Sequence, residues 1–237
     1  MKLLEVQNLT LAYGVNRVVR GVSFDINEGE AYAILGPNGA GKTSILRAIS
    51  GLINVVEGDI RYRGESLLKS PPHTVVSKGI AHVPEGRRVF PEMTVLENLL
   101  VGATVHIRNP KLTAELLDRN FELFPILKEK ANQAGGALSG GQQQQLTIAR
   151  GLMADPKLLI VDEPTLGLAP AVILSVGESF RRLLSLGLTV VIAEQNADFA
   201  LKATNRGVVI SGGEVSFQGD VDALRNSEAI HRAYLGG

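Results

Sequence analysis

Residues Gly36-Pro37-Asn38-Gly39-Ala40-Gly41-Lys42-Thr43 match G-x-x-x-x-G-K-[ST] at every fixed position. The flanks make this string a strong constraint on the fold. Before it, Ala31 to Leu35 is an apolar run without alternation, the pattern of a strand buried on both faces of a parallel sheet. After it, Ile45, Leu46, Ile49 and Leu52 recur at helical spacing. Strand, glycine loop and helix in that order predict an α/β core that cradles phosphate. The glycines let the backbone close on an anion with its N–H groups pointing inward, and the helix N-terminus adds partial positive charge. Gly36 to Thr43 and the following Ser44 are therefore candidate nucleotide-binding residues, with Lys42 reaching the β- and γ-phosphates and the Thr43 hydroxyl holding Mg²⁺. An ordinary glycine turn is the competing reading. The buried strand before it and the amphipathic helix after it argue against that.

A second string, Leu158-Leu159-Ile160-Val161-Asp162-Glu163, is an apolar strand ending in two carboxylates. Such a strand is expected beside the one feeding the cradle, with both acids near the metal. Asp162 would hold Mg²⁺ through water, and Glu163 would polarise the attacking water. Loss of a general base typically costs about 10²- to 10⁴-fold in rate. The bland alternative is two acids opening a turn before Pro164.

A third string, Leu138-Ser139-Gly140-Gly141-Gln142, starts a helix. Ser139 and Gln142 form a capping box, which suffices to explain those two residues. It does not explain Gly140 and Gly141, since a glycine in a helix costs roughly 1 kcal/mol against alanine. That cost makes sense where backbone approaches a phosphate closely, the Ser139 hydroxyl and the helix N-terminus supplying donors to a γ-phosphate.

The rest of the chain frames these strings. Leu4, Val6, Leu9 and Leu11 alternate as a strand, Glu57-Gly58-Asp59 restarts strand structure, and Ile80 to Val83 is a short strand. Thr94-Val95-Leu96-Glu97 is a capping box, residues 111 to 130 favour helix, and 139 to 154 complete a helical block. Pro170 opens a helix that Gly187 ends, Leu188 to Ala193 is a buried strand, and Ser211-Gly212-Gly213 joins a hairpin. One domain over 1–237 is expected, with its core at about 1–85 and 156–237 and a helical insert at about 86–155.

Lysine plus arginine and aspartate plus glutamate both total 24, which gives no general pull toward nucleic acid. There is no cysteine, and His73, His82, His106 and His231 lack metal-ligand spacing. The longest apolar runs, Leu99 to Val105 and Leu186 to Ala193, fall far short of the roughly 20 residues that span a bilayer. The amino terminus lacks the apolar core of a secretion signal. A soluble, cytoplasmic product is expected, meeting membrane through partners.

Together the three strings resemble the nucleotide-binding subunit of an ABC transporter, and the resemblance covers essentially the whole chain. It implies a P-loop NTPase core of the ABC ATPase type with an antiparallel β subdomain and an inserted helical subdomain. It implies ATP and Mg²⁺ as cofactors and hydrolysis coupled to transport. Two such subunits would pair head to tail, each signature, Leu138 to Gln142, completing the other's ATP site. Tyr13 falls where the family's aromatic stacks on adenine, a core strand residue being the alternative. Three positions depart from the family pattern. Glu85 stands where a glutamine usually contacts Mg²⁺ and senses the membrane partner, Gln195 where a histidine contacts the γ-phosphate, and Ala169 where an aspartate is usual. The candidate metal set is thus Thr43, Glu85 and Asp162, and the candidate catalytic set Glu163, Gln195 and Lys42.

Val83 to Pro91, Asp162 to Pro170, Glu194-Gln195-Asn196-Ala197 and the ending Tyr234-Leu235-Gly236-Gly237 resemble one subgroup, the second ATP-binding subunit of branched-chain amino acid importers. That implies two permease subunits, a sister ATPase subunit or a second copy of this chain, an extracytoplasmic solute-binding protein, a place on the cytoplasmic face of the plasma membrane, and no nucleic acid. Arg87, Arg88 and the helix from Thr94 are expected to face the permease subunits, the alternative for the arginines being simple solvation. A urea or short-amide importer and a non-transport ABC ATPase are the other readings.

Overall fold

The structure is a computed structural model and describes residues 1–230. His231 and the ending Tyr234 to Gly237 lie outside the described residues. The strands are β1 (Lys2–Tyr13), β2 (Asn16–Asn27), β3 (Ala31–Leu35), β4 (Glu57–Tyr62), β5 (Glu65–Ser66), β6 (Ile80–Val83), β7 (Leu158–Asp162), β8 (Thr189–Glu194), β9 (Arg206–Ser211) and β10 (Glu214–Asp220). The α-helices are α1 (Lys42–Ile49), α2 (Pro72–Ser77), α3 (Val95–Gly102), α4 (Pro110–Leu123), α5 (Pro125–Glu129), α6 (Gly140–Leu152), α7 (Pro170–Ser185), α8 (Ala197–Ala203) and α9 (Val221–Arg225).

Two strand patterns make two sheets. The strands β1, β2 and β4 mix buried and exposed residues, and with the short, exposed β5 they pair antiparallel in the order β2-β1-β4-β5. By contrast β3, β7 and β8 are buried at every position, as helices on both faces require. They lie in a sheet of order β10-β9-β3-β8-β7-β6, parallel except for the β9–β10 hairpin at its edge. Side chains along β7 alternate between two cores. Leu158 and Ile160 pack with Ile45, Leu46 and Ile49 of α1, while Leu159 and Val161 pack with Leu146 of α6 and Val176 and Phe180 of α7. Truncating a side chain such as Ile160 to alanine would cost about 2–5 kcal/mol.

Between β6 and β7 the chain forms helices and turns. The capping box of α3 is made in full: the Glu97 N–H donates to Thr94 Oγ1 at 3.1 Å, and the Thr94 N–H donates to Glu97 Oε2 at 2.7 Å. Pro170 is the first residue of α7, as its fixed φ and missing N–H allow.

Three sequence expectations are corrected. Leu52 is 55% exposed, because α1 ends at Ile49 and the chain turns away before it. Residues 111 to 130 are two helices, broken where Pro125 has no N–H to continue α4. The third correction concerns the site: β7 does not lie beside β3, because β8 is inserted between them. The short elements β5, α2, α8 and α9 carry too few periodic residues to be read from sequence.

Candidate active site

The loops leaving β3, β6 and β7 emerge at one edge of the parallel sheet. Gly41 caps α1 in a conformation with φ +105° and touches Val18 and Val19 of β2, where a Cβ would meet Val19 Cγ2 at 2.8 Å. No side chain caps α1 and no acid sits in its first turn, so its N–H groups remain free for an anion. A cavity of about 420 Å³ opens there, with Gly39, Lys42, Thr43, Ser44, Glu85 and Glu163 among its lining. A larger one of about 600 Å³ lies among Leu116, Asn120 and Leu183, and no candidate site residue lines it.

Lys42 is 4% exposed and turned into the loop. Its Nζ donates to Gly36 O at 2.8 Å and Pro37 O at 3.2 Å, and pairs with Glu163 Oε1 at 3.1 Å. Although β8 separates β3 from β7, that gap is only about 10 Å, two strand spacings, and a lysine side chain spans much of it. Glu163 has φ +45°, a strained conformation for a glutamate, with its N–H held by Ala193 O at 2.8 Å.

Asp162 is 2% exposed. Burial pushes its carboxyl up to about 6; the Thr43 hydrogen bond opposes this, and the charges of Glu85 and Glu163 add to it. Its Oδ1 is buried with no hydrogen-bond partner, an oxygen that a cation would satisfy. Among the described residues no group of three or more His, Cys, Asp or Glu side chains is set to hold a metal. Mg²⁺ needs none, since it typically takes one or two carboxylates and fills its octahedron with water and phosphate oxygens. Thr43, Asp162 and Glu85 therefore fit Mg²⁺ with nucleotide phosphates present.

Tyr13 ends β1 at 44% exposure, outside the core, with its hydroxyl 3.3 Å from Ser44 Oγ at the start of α1. Gln195 is exposed and shares a second cleft, of about 320 Å³, with Glu163, Thr165 and Glu194. The structure thus brings Glu163 and Gln195 together. It does not bring Ser139 to Gln142 to the phosphate cavity. That segment caps α6 on itself: the Gln142 N–H donates to Ser139 Oγ at 3.4 Å and the Ser139 N–H to Gln142 Oε1 at 3.1 Å. Gly141 also has a reason within the chain, since a Cβ there would overlap Val172 Cγ1 of α7. The Arg87 guanidinium lies against the tip of α6 at Gly140 and near Gly167, while Arg88 is exposed.

Residues 19–166 match the profile of the family described as ABC transporter. The chain belongs to that family. The branched-chain amino acid transport ATP-binding protein BraG of Pseudomonas aeruginosa is 41% identical over 99% of this chain and 100% of its own length. The lipopolysaccharide export ATP-binding protein LptB of Haemophilus influenzae is 34% identical over 100% of this chain and 98% of its own. The probable branched-chain amino acid transport ATP-binding protein LivG of Archaeoglobus fulgidus is 32% identical over 100% and 96%. Among solved structures, the ADP conformation of the ATP-binding cassette MJ1267 superposes with a TM-score of 0.87 at 27% identity, covering 100% of both chains. This ABC cassette is an ATP-binding, ATP-hydrolysing transporter subunit.

Sequence reading missed Glu194, which ends β8 at 2% exposure. The signal was present: an acid closing the apolar run Leu188 to Ala193, as Asp162 closes its own strand.

Proposed function

We propose that this ABC ATPase drives import of branched-chain or other amino acids, with ATP bound at Gly36 to Ser44 and Tyr13 against the adenine. The supporting observation is the convergence of Lys42, Thr43 and Glu163 on one cavity, with Asp162 beside Thr43 and its Oδ1 left without a partner. When ATP enters, the Lys42 ammonium turns from the Gly36 and Pro37 carbonyls to the β- and γ-phosphates, and Glu163 is released. Glu163 then orients a water and takes its proton as the water oxygen bonds to the γ-phosphorus and the bond to ADP breaks. The chemistry Mg²⁺ supplies when bound, at Thr43, Asp162 and Glu85, is neutralisation of charge on the phosphate oxygens. Gln195 donates a neutral hydrogen bond to the γ-phosphate.

Ser139, Gly140, Gly141 and Gln142 do not line their own chain's cavity, which supports a head-to-tail partner, a sister ATPase or a second copy, whose ATP they cover. Phe90, Met93 and Leu100 are 44%, 39% and 41% exposed on the loop after β6 and on α3. An apolar surface there suits permease subunits, two of them, served by an extracytoplasmic solute-binding protein. No helix among the described residues is long and apolar enough to cross a membrane. In this proposal, attachment to the cytoplasmic face runs through those subunits.

Glu163→Gln tests the chemistry. The variant should bind ATP and accumulate an ATP-bound closed dimer on gel filtration; parental turnover would remove Glu163 from its role. Labelled leucine, isoleucine and valine uptake by the assembled transporter tests the solute class. Uptake of urea or a short amide instead would favour the related importer. Lipopolysaccharide export is the second reading, favoured by LptB at 34% identity and weighed against BraG at 41%.

A further inference from the structure

A carboxylate as buried as that of Glu194 is destabilising unless donors meet its lone pairs. It meets three, on two different loops. Oε1 accepts from the Thr165 N–H at 2.9 Å and from the Thr165 hydroxyl at 2.7 Å. Oε2 accepts from the Asn196 N–H at 3.0 Å. Thr165 lies two residues past Glu163, and Asn196 directly follows Gln195. Burial pushes the Glu194 carboxyl up from its ordinary range, and the hydrogen bonds from Thr165 and Asn196 oppose that shift. The Glu163 N–H is held by the carbonyl of Ala193, the neighbour of Glu194, so the Glu163 loop is tied to the end of β8 at two points. A glutamate with φ +45° persists only where its surroundings over-determine it, and these ties do so.

We propose that Glu194 is a positioning residue for hydrolysis: its buried carboxylate clamps the loop leaving Glu163 to the loop carrying Gln195. The acid that takes the water's proton and the amide that meets the γ-phosphate then hold one relative geometry across the cleft they share. This rests on Glu163 and Gln195 acting on ATP as proposed above. Glu194 acts through its neighbours' backbones. Relaxing the clamp therefore leaves nucleotide binding at Lys42 and Thr43 untouched and lowers the rate of the chemical step. Misplacement by about 1 Å at a reacting centre costs on the order of 10²-fold.

The test uses the full chain in its assembled transporter and measures kcat, KM for ATP and Tm for Thr165→Val, Glu194→Gln and Glu194→Ala. Thr165→Val removes one donor and no charge. Glu194→Gln keeps the shape but turns an NH₂ toward an N–H on one of the two loops. Each should lower kcat about 10-fold, and Glu194→Ala about 10²-fold, with KM unchanged within about twofold. Adding Thr165→Val to Glu194→Ala should cost nothing more, because the bond it removes is already gone. Parental kcat beside a lowered Tm would overturn the clamp, as would an undiminished cost of Thr165→Val in the Glu194→Ala background. If Glu194→Ala does not fold, Thr165→Val and Glu194→Gln still decide. Glu163→Gln is run alongside: full turnover there rejects the hydrolytic reading itself, whereas loss there with normal Glu194 variants rejects the clamp alone.

Discussion

Gly141→Ala separates two reasons for one glycine. The new Cβ would stand 3.4 Å from Val172 Cβ and Cγ2 and would overlap Cγ1. A valine in a helix has one strongly preferred rotamer, so Val172 cannot swing clear and α7 must back away from the tip of α6. Overpacking of this kind costs about 1–3 kcal/mol. Alanine's better helix propensity returns up to about 1 kcal/mol. The net is about 1 kcal/mol, a fall of roughly 2–4 °C in Tm for a chain of this size. Gly140→Ala is the control, since its Cβ crowds the end of the flexible Arg87 side chain and otherwise makes ordinary contact with Leu168, and its Tm should not fall. The pair Gly141→Ala with Val172→Ala should have the stability of Val172→Ala alone, as contacting residues are non-additive. Phosphate release then decides between the reasons. If Gly141 must also meet the nucleotide of a companion subunit, turnover stays lost in the stable pair, which is the result we expect. Turnover that returned with stability would show that Gly141 exists for α7 alone and would refute the close-approach reasoning.

Gln195→His should raise ATP turnover in the assembled transporter, because a cationic donor stabilises transition-state charge better than an amide; an unchanged or lower rate counts against a slow site at Gln195. His82 gives a pH signature. It is largely buried, its Nδ1 lies 3.0 Å from Ser50 Oγ, and burial, aided by Arg47 and Arg88, lowers its pKa to about 4. The unfolded chain, with His82 near its ordinary 6.5, binds more protons than the folded one between those values. Stability is therefore full above pH 6.5 and falls as pH drops toward 4, by about 3 kcal/mol in all and about 2 kcal/mol by pH 5. Urea unfolding at pH 7.5 and pH 5 should show a smaller loss for His82→Gln than for the parent, and equal losses would reject the assignment.

The local patterns were legible because they depend on neighbours a few residues apart. The glycine loop between β3 and α1, the caps at Thr94 and Ser139 and the apolar runs of β3, β7 and β8 all follow from spacing and backbone chemistry. Weaker signals failed where a helix had fewer than two full turns, as in α2, or where one proline divided a continuous pattern, as at Pro125. The capping box at Ser139 was legible, but the role of Gly141 against Val172 was not, because the two lie on separate helices 31 positions apart in sequence.

By itself, then, the sequence determined the longer strands and helices, the glycine loop that leads from β3 into α1 and which acid ends β7. Only the tertiary structure decided that β8 separates β7 from β3, that Lys42 nevertheless reaches Glu163, and that Glu194 joins two loops. Periodicity records which face of an element is buried and is silent on which element covers it. Strand order is set by how the crossover helices pack, through contacts between residues far apart in the chain.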